Sequence, residues 1–370
     1  MSDGILRIAV PSPLRRAFDY LAAPGHSPRP GARVEVPFGR GKAIGVLLGV
    51  EQDSDVPPER LKRIGRVLDE SPLLPPEILA LAQWASDYYH HPIGEVFSQV
   101  LPVLLRKGEA ARVRGLRHWC LTPAGAAADP SSLGRAPRQA HLLALLQAHP
   151  EGLGAEALDA KAEKWRPAAA RLVERGWVSV EERNALAAGA AAGAAEPVPP
   201  RVTLNADQGA AVETIVGALD GYGGFLLDGV TGSGKTEVYL NVIERVVANG
   251  RQAMVLVPEI GLTPQLVGRF RARFDLPIAL LHSGLTDQER LAAWLAAREG
   301  TAPIVIGTRS AVFTPLKTPG VFIIDEEHDL SFKQQEGFRY SARDVAVVRA
   351  HRAGVPVVLG SATPSLEALY

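Results

Sequence analysis

The octet Gly229-Val230-Thr231-Gly232-Ser233-Gly234-Lys235-Thr236 follows the apolar run Phe225-Leu226-Leu227 and precedes Glu237–Val247, which has helical spacing. Each residue type in it has a chemical use. Glycines let consecutive backbone N–H groups turn inward around a polyphosphate, and the start of a helix aims a positive dipole end at the same point. A lysine there reaches β- and γ-phosphates, and the threonine hydroxyl ligates Mg²⁺. The strand before and the helix after make a bare glycine turn the weaker reading. Gly229, Thr231, Gly232, Ser233, Gly234, Lys235 and Thr236 are therefore expected to hold ATP. A second run, Val321–Ile324, ends in Asp325-Glu326-Glu327-His328. Asp325 at such a strand end suits Mg²⁺ held through water, and Glu326 suits orienting the attacking water. The expected catalytic set is Lys235, Asp325 and Glu326, with Thr236 and Asp325 on the metal.

Directly after the carboxylates comes Ser331-Phe332-Lys333-Gln334-Gln335-Glu336-Gly337-Phe338-Arg339-Tyr340. Phe332, Phe338 and Tyr340 interleaved with Lys333 and Arg339 suit base stacking combined with phosphate contact, a way to hold a single strand without sequence choice. Core packing competes for each ring, but the polar residues between them favour an exposed loop. Further back, Leu104–Trp119 carries Arg106, Lys107, Arg112, Arg114 and Arg117 against Glu109. That local excess suits a duplex contact, with a solvated basic hinge as the alternative. His90-His91 is not read as a metal site, since adjacent side chains point apart on either regular element.

These groups need a scaffold. The 370 residues suffice for two or three domains. Forty basic residues balance forty acidic ones, so any nucleic-acid affinity must come from local charge. A hydrophobic content of 46% fits a globular chain. No run of about 18 apolar residues and no signal-like N-terminus occurs, which gives a cytoplasmic expectation and no membrane contact. The single cysteine, Cys120, excludes an internal disulfide or a multi-cysteine zinc cluster within this chain. Residues 1–107 open with β-type runs (Leu6–Val10, Arg33–Pro37, Ala43–Val50) and continue into a helix near Pro75–Tyr89, which predicts a small β-rich domain. In 108–185, helices near His141–His149 and Arg166–Arg175 and a shorter one between them precede a strand at Trp177–Val180, the order of a winged helix and also of many small α+β domains. An Ala/Gly/Pro tract over 186–200 reads as a linker. From 201 to 370, apolar runs alternate with helical stretches, which predicts an α/β domain with a parallel sheet.

Taken in order, the octet, Asp325-Glu326-Glu327-His328 and Ser361-Ala362-Thr363-Pro364 resemble motifs I, II and III of superfamily-two helicases. Asn205-Ala206-Asp207-Gln208 resembles the upstream glutamine motif, where Gln208 would read adenine. Pro258–Thr263 and Gly307–Ala311 resemble motifs Ia and Ib, implying that Thr308 and Arg309 hold strand phosphates. The resemblance narrows to the primosomal replication-restart helicases of bacteria on Gly229–Tyr239, Asp325–Tyr340, Arg343-Asp344, Phe18-Asp19-Tyr20, Val36–Gly39 and Trp84–Glu95. It implies a RecA-like P-loop lobe preceded by a 3′-end DNA-binding domain and a winged-helix domain. It also implies a 3′-terminus pocket lined by Phe18, Asp19, Gly39 and Lys62.

The resemblance further implies an ATP-dependent 3′-5′ DNA helicase that recognises stalled or abandoned forks and initiates primosome assembly. Its partners would be forked and single-stranded DNA, primosome proteins, a single-stranded DNA-binding protein and a replicative helicase loader. The sequence stops at Tyr370, just after motif III. Such a motor needs a second lobe, in which the family also carries its zinc-binding cysteines. The alternative expectation is thus a fork-binding scaffold that binds ATP without effective unwinding. A restriction-type or chromatin-type translocase would share the ATP motifs but leaves the N-terminal stretches unexplained.

Overall fold

In the computed structural model the described residues are 4–25, 27–113, 115–183 and 203–369. The chain forms two compact units, Met1–Arg112 together with Ala195–Tyr370, and Val113–Ala194. The tract expected to be a linker, 186–200, lies outside the described residues, as does Arg114. Among the described residues no helix is long and apolar enough to cross a membrane.

The first unit begins with five antiparallel strands: β1 (Ile5–Ala9), β2 (Phe18–Leu21), β3 (Arg33–Phe38), β4 (Gly41–Glu51) and β5 (Arg66–Val67), ordered β2-β1-β4-β3-β5. The segment before β5 closes the sheet on itself. Leu21 N–H donates to Lys62 O at 2.9 Å, Ile64 N–H to Leu21 O at 3.0 Å, and Gly65 N–H to Glu35 O at 2.8 Å. Closure removes the free edges that an open sheet would present. Leu6, Ile8, Tyr20, Val34, Val36, Leu47 and Ile64 fill the interior. The helices Pro76–Tyr88 and Ile93–Val100 follow.

Arg33 ties these pieces together. Its guanidinium is 0% exposed and meets Asp69 with two nitrogens, at 2.7 and 3.0 Å. Its remaining donors go to the carbonyls of Leu105 at 2.7 Å and Glu109 at 2.9 Å. The fork shape of the group allows all four bonds at once.

The rest of this unit carries six parallel strands: β9 (Gly224–Asp228), β10 (Gln252–Leu256), β11 (Ile278–Leu281), β12 (Ile304–Gly307), β13 (Pro319–Asp325) and β14 (Val357–Ser361). Their order is β11-β12-β10-β13-β14-β9. The predicted α/β character is thereby established; β11 is a strand that apolar runs alone did not mark. Helix 206–216 precedes the sheet, and helices 235–248, 264–273, 287–299 and 342–353 lie between its strands. Gln252 pins the sheet from within. Its amide donates to the Ala297 and Ala302 carbonyls at 2.9 and 2.8 Å and accepts from Lys317 and Thr318 N–H at 2.7 and 3.1 Å. A buried amide so satisfied carries little desolvation penalty.

The barrel-bearing segment and the parallel-sheet segment pack as one body. Helix Asp287–Glu299 buries every residue from Leu291 to Ala297. From its end Arg298 donates to the carbonyls of Leu73 at 2.7 Å and Pro72 at 2.9 Å, while Lys107 lies 3.7 Å from Asp287.

The second unit has a three-stranded antiparallel sheet, β6 (Leu116–Leu121), β7 (Leu153–Gly154) and β8 (Val178–Arg183), ordered β7-β6-β8. Its helices Pro137–Gln147, Ala155–Lys161 and Trp165–Glu174 share a core of Leu142, Leu146, Leu158, Trp165, Leu172 and Val178.

Asp69→Ala would leave the Arg33 charge buried without its anion. The expected loss is about 3–5 kcal/mol in urea unfolding followed by circular dichroism; a midpoint within error of the unsubstituted chain would refute the role given to this pair.

Candidate nucleotide and nucleic-acid site

Parallel pairing brings distant motifs side by side. In the register of the sheet, Leu227 at the end of β9 faces Gly360 on β14, and Gly360 in turn faces Asp325 at the end of β13. Leu256 of β10 pairs with Ile324 on one side and Gly307 on the other, so Pro258–Thr263 and Gly307–Ala311 emerge at the same edge. Ligands of open α/β sheets bind outside the carboxyl ends of strands, where these loops gather.

Gly232 and Gly234 take φ of 83° and 87°, in the left-handed region that glycine enters without cost, and the helix Lys235–Ala248 starts immediately after them. The Lys235 ammonium is buried, donates to Gly229 O at 2.7 Å and lies 3.7 Å from Glu326 Oε1. Glu326 itself has φ of 49°. A non-glycine residue held there stores about 1–3 kcal/mol, a strain that recurs at functional sites. Gln208 is tied to the loop as well: its Oε1 accepts Asn205 N–H at 3.0 Å and its Nε2 donates to Ser233 O at 2.8 Å. Both ends of this amide meet protein groups, so in this structure it braces the loop.

Asp325 is engaged by a residue that sequence reasoning did not single out. Tyr239 donates its hydroxyl to Asp325 Oδ1 at 3.0 Å. Burial raises the Asp325 carboxyl above the usual carboxylate range, and the Tyr239 hydrogen bond opposes that rise. Burial likewise pushes the Tyr239 phenol well up, with Asp325 adding to it. Tyr239 lies four residues past Lys235, one helical turn along the same face, and that spacing was a usable signal. Gly360 makes room for it, since a Cβ there would lie 1.6 Å from the Tyr239 oxygen.

The third motif locks the first two. Ser361 O accepts Gly229 N–H at 3.1 Å, and Ser361 Oγ meets His328 Nδ1 at 2.7 Å. Buried Glu327 accepts from Arg343 Nη1 at 3.0 Å and from Ser365 N–H at 2.7 Å. Among the described residues no three His, Cys, Asp or Glu side chains gather to hold a metal ion alone. The glycine cradle, the buried ammonium and one strand-end carboxylate fit a nucleotide that carries its own Mg²⁺, a cation that takes one or two carboxylates and otherwise phosphate or water.

The aromatic stretch requires a correction. Phe332, Phe338 and Tyr340 are 2%, 2% and 6% exposed, so these rings present no face to a base. Phe338 stacks on Tyr340 with centroids 4.8 Å apart, and Tyr340 packs edge-on to Phe313 at 5.1 Å. The three rings turn inward while Lys333, Gln335, Glu336 and Arg339 between them stay exposed. Burial pushes the Tyr340 phenol up, against a hydrogen bond with Arg309. Arg309 Nη1 also donates to Ser331 O at 2.8 Å, which braces this loop, while buried Thr308 donates its N–H to Leu281 O at 3.0 Å.

In the barrel, half-buried Phe18 packs edge-on to Phe38 at 5.1 Å, next to exposed Gly39. Asp19 accepts from Ser54 Oγ at 2.6 Å and from Arg7 Nε at 3.3 Å. Exposed Lys62 lies beside the far end of β2 through the Leu21 N–H bond to its carbonyl. Phe18 and Asp19 thus lie on β2 and Lys62 beside its end, while Gly39 follows β3, whose Phe38 ring packs on Phe18. The basic run divides: Lys107 pairs with Asp287, exposed Arg106 lies near the same carboxylate, and Arg117 belongs to the second unit.

Gly360→Ala should destabilise the chain by about 1–3 kcal/mol through overpacking. Gly360→Ala with Tyr239→Phe should recover part of that loss, because the closest clash is with the hydroxyl. Urea unfolding of the two variants checks this, and equal losses in both would count against the contact.

Two family models match. Residues 7–102 match a PriA 3′ DNA-binding domain and residues 205–369 a DEAD/DEAH box helicase. Replication restart protein PriA of Haemophilus influenzae is 42% identical over 370 residues, covering 99% of this chain and 50% of that protein. The Bacillus subtilis protein of the same name is 33% identical over 427 residues, covering 95% of this chain and 52% of that one. That of Synechocystis is 34% identical over 434 residues, covering 95% and 51%. The chain spans about half the length of the curated relatives it matches. Domain order and similarity along nearly the whole chain together show that it belongs to the PriA family of replication restart proteins.

Proposed function

We propose that this chain forms the DNA-end-recognising and nucleotide-binding part of an ATP-dependent 3′-5′ DNA helicase that recognises stalled or abandoned forks and begins primosome assembly. The observation that supports this most is the alignment of Leu227, Gly360 and Asp325 across three strands, with Lys235 beside Glu326 in front of them. Bound ATP with Mg²⁺ would supply the free energy of phosphoryl transfer to water. Lys235 would leave its contact with Gly229 O and neutralise the terminal phosphates. Thr236 and Asp325 would hold the cation, and Tyr239 keeps the Asp325 carboxylate in one orientation. Glu326, within ion-pair distance of Lys235 and His328, would orient the attacking water.

The DNA side rests on the barrel and on exposed cations. Phe18, Asp19, Gly39 and Lys62 would take a 3′ terminus, while Lys333 and Arg339 would meet strand phosphates without base stacking. Residues 113–183 would act as a winged-helix module on duplex. Primosome proteins, a single-stranded DNA-binding protein and a helicase loader are the proposed partners.

Titrating the chain with a fluorescent ATP analogue and Mg²⁺ tests the nucleotide site. Lys235→Ala should weaken binding at least about tenfold, the scale of a lost charged hydrogen bond. Unchanged affinity would remove the central assignment. An ATPase assay with forked DNA separates the functional alternatives: DNA-stimulated hydrolysis lost in Lys235→Ala supports the motor, and binding of both ligands without hydrolysis supports a fork-binding scaffold. For the DNA end, an oligonucleotide with a free 3′ hydroxyl should bind more tightly than the same strand ending in a 3′ phosphate, and Phe18→Ala should reduce that difference.

A further inference from the structure

Between the helices Pro76–Tyr88 and Ile93–Val100 the chain makes a tight turn that touches both the barrel and the acidic motif's surroundings. His90 takes φ of 53°, outside the region a non-glycine residue prefers. The turn is fixed by several bonds. Ser86 Oγ donates to His91 O at 2.7 Å, His91 N–H to Ser86 O at 2.9 Å, and His90 Nδ1 meets Arg15 Nη2 at 3.2 Å. Arg15 belongs to the loop that runs from β1 into Phe18. Gly94 sits against the start of that loop so closely that a Cβ would be 1.8 Å from Val10 O. The contact is backbone on backbone, so movement of the β1–β2 connection is passed on to the turn rather than absorbed by a side chain.

The other face of the turn meets the aromatic loop. Tyr89 lies edge-on to Phe338 with centroids 6.0 Å apart, and the His91 ring is 5.2 Å from the same phenylalanine. The Tyr89 oxygen accepts the N–H of Ser341 at 3.3 Å. Ser341 is buried and caps the helix Ala342–Ala353, so its own N–H has no partner within that helix. Two residues on, Arg343 holds Glu327 at 3.0 Å and Ser365 Oγ at 2.9 Å. A cleft of about 190 Å³ beside Glu327, Lys333, Ser341, Arg343 and Ser365 leaves this segment room to shift.

We propose that Tyr89 is a positioning residue through which the N-terminal barrel sets the Phe338–Arg343 segment and, through Arg343, the acidic turn at Glu326-Glu327. Occupation of the barrel by a DNA end and occupation of the glycine loop by nucleotide are therefore energetically linked across Tyr89. The proposal rests on the two binding functions given above, and it concerns only the coupling between them. Linkage requires reciprocity: the factor by which one ligand changes the other's affinity is the same in both directions.

The test measures that factor in the 370-residue chain. The affinity of a fluorescent ATP analogue with Mg²⁺ is measured with and without a saturating single-stranded oligonucleotide ending in a 3′ hydroxyl. The affinity of the oligonucleotide is then measured with and without the analogue. The expected result is a tightening of about fivefold or more, equal in the two directions. Tyr89→Phe keeps the ring and removes the acceptor for Ser341, and it should bring the factor close to one while each ligand alone binds within about twofold of the unsubstituted chain. Tyr89→Ala should do the same, and if it folds poorly the phenylalanine variant decides. A purely structural role for Tyr89 would lower the melting temperature and leave the reciprocal factor intact, which would overturn the proposal. So would an unsubstituted chain that binds both ligands with no coupling, and that outcome leaves the functional assignment standing. Failure to bind either ligand removes both.

Discussion

Hydrogen bonding between parallel strands is what makes a site here at all. The glycine loop, the acidic turn and the third motif are separated by long stretches of sequence, and each is unremarkable alone. Pairing of β9 with β14 and of β14 with β13 puts their ends in one row. The row is then cross-tied from strand end, helix and loop: Ser361 at the end of β14 to Gly229 and His328, Tyr239 to Asp325, Ser365 to Glu327. A shift of register by one residue would move Asp325 away from both Gly360 and Tyr239 and turn side chains to the opposite face. The site is therefore as rigid as the sheet's buried interior, which is the condition for preorganised electrostatics.

The same logic explains the buried polar residues away from the chemistry. Arg33 and Gln252 each satisfy four hydrogen bonds in places where water cannot help. Neither touches the glycine loop. Arg33 joins β3 to the segment that leads out of the N-terminal helices, and Gln252 joins the start of β10 to the helix 287–299 and to the approach to β13. Each replaces a hydrophobic contact with a directional one, and directional contacts specify a single arrangement where apolar packing tolerates several.

Much of this was readable in the residues. Five of the six parallel strands appear as apolar runs, and the glycine octet announces its own strand–loop–helix setting. The strand β11 escaped because Ile278–Leu281 is short and follows directly on Leu276-Pro277, where proline punctuation blurs the start of a strand. β2 escaped because Phe18-Asp19-Tyr20-Leu21 alternates too briefly to declare itself. The aromatic loop was misread for a more general reason. Composition showed rings among polar residues, which suits an exposed stacking surface, but the inward turn of the three rings and the waiting ring of Phe313 come from tertiary structure. Gln208 and Arg309 illustrate the same limit: residue type announces capacity for a hydrogen bond, and only the fold shows who receives it. Tyr239 was within reach, since a lone phenol on the buried face one turn after Lys235 has few other uses.

The burial of helix 287–299 on all sides has a consequence for how this architecture can vary. Its outer surface is covered by residues that precede the whole parallel sheet in the chain, and Arg298 grips carbonyls in that earlier stretch. The sheet domain is consequently no interchangeable cassette: transplanted alone, it would expose an alanine- and leucine-rich helix and an arginine stripped of its acceptors.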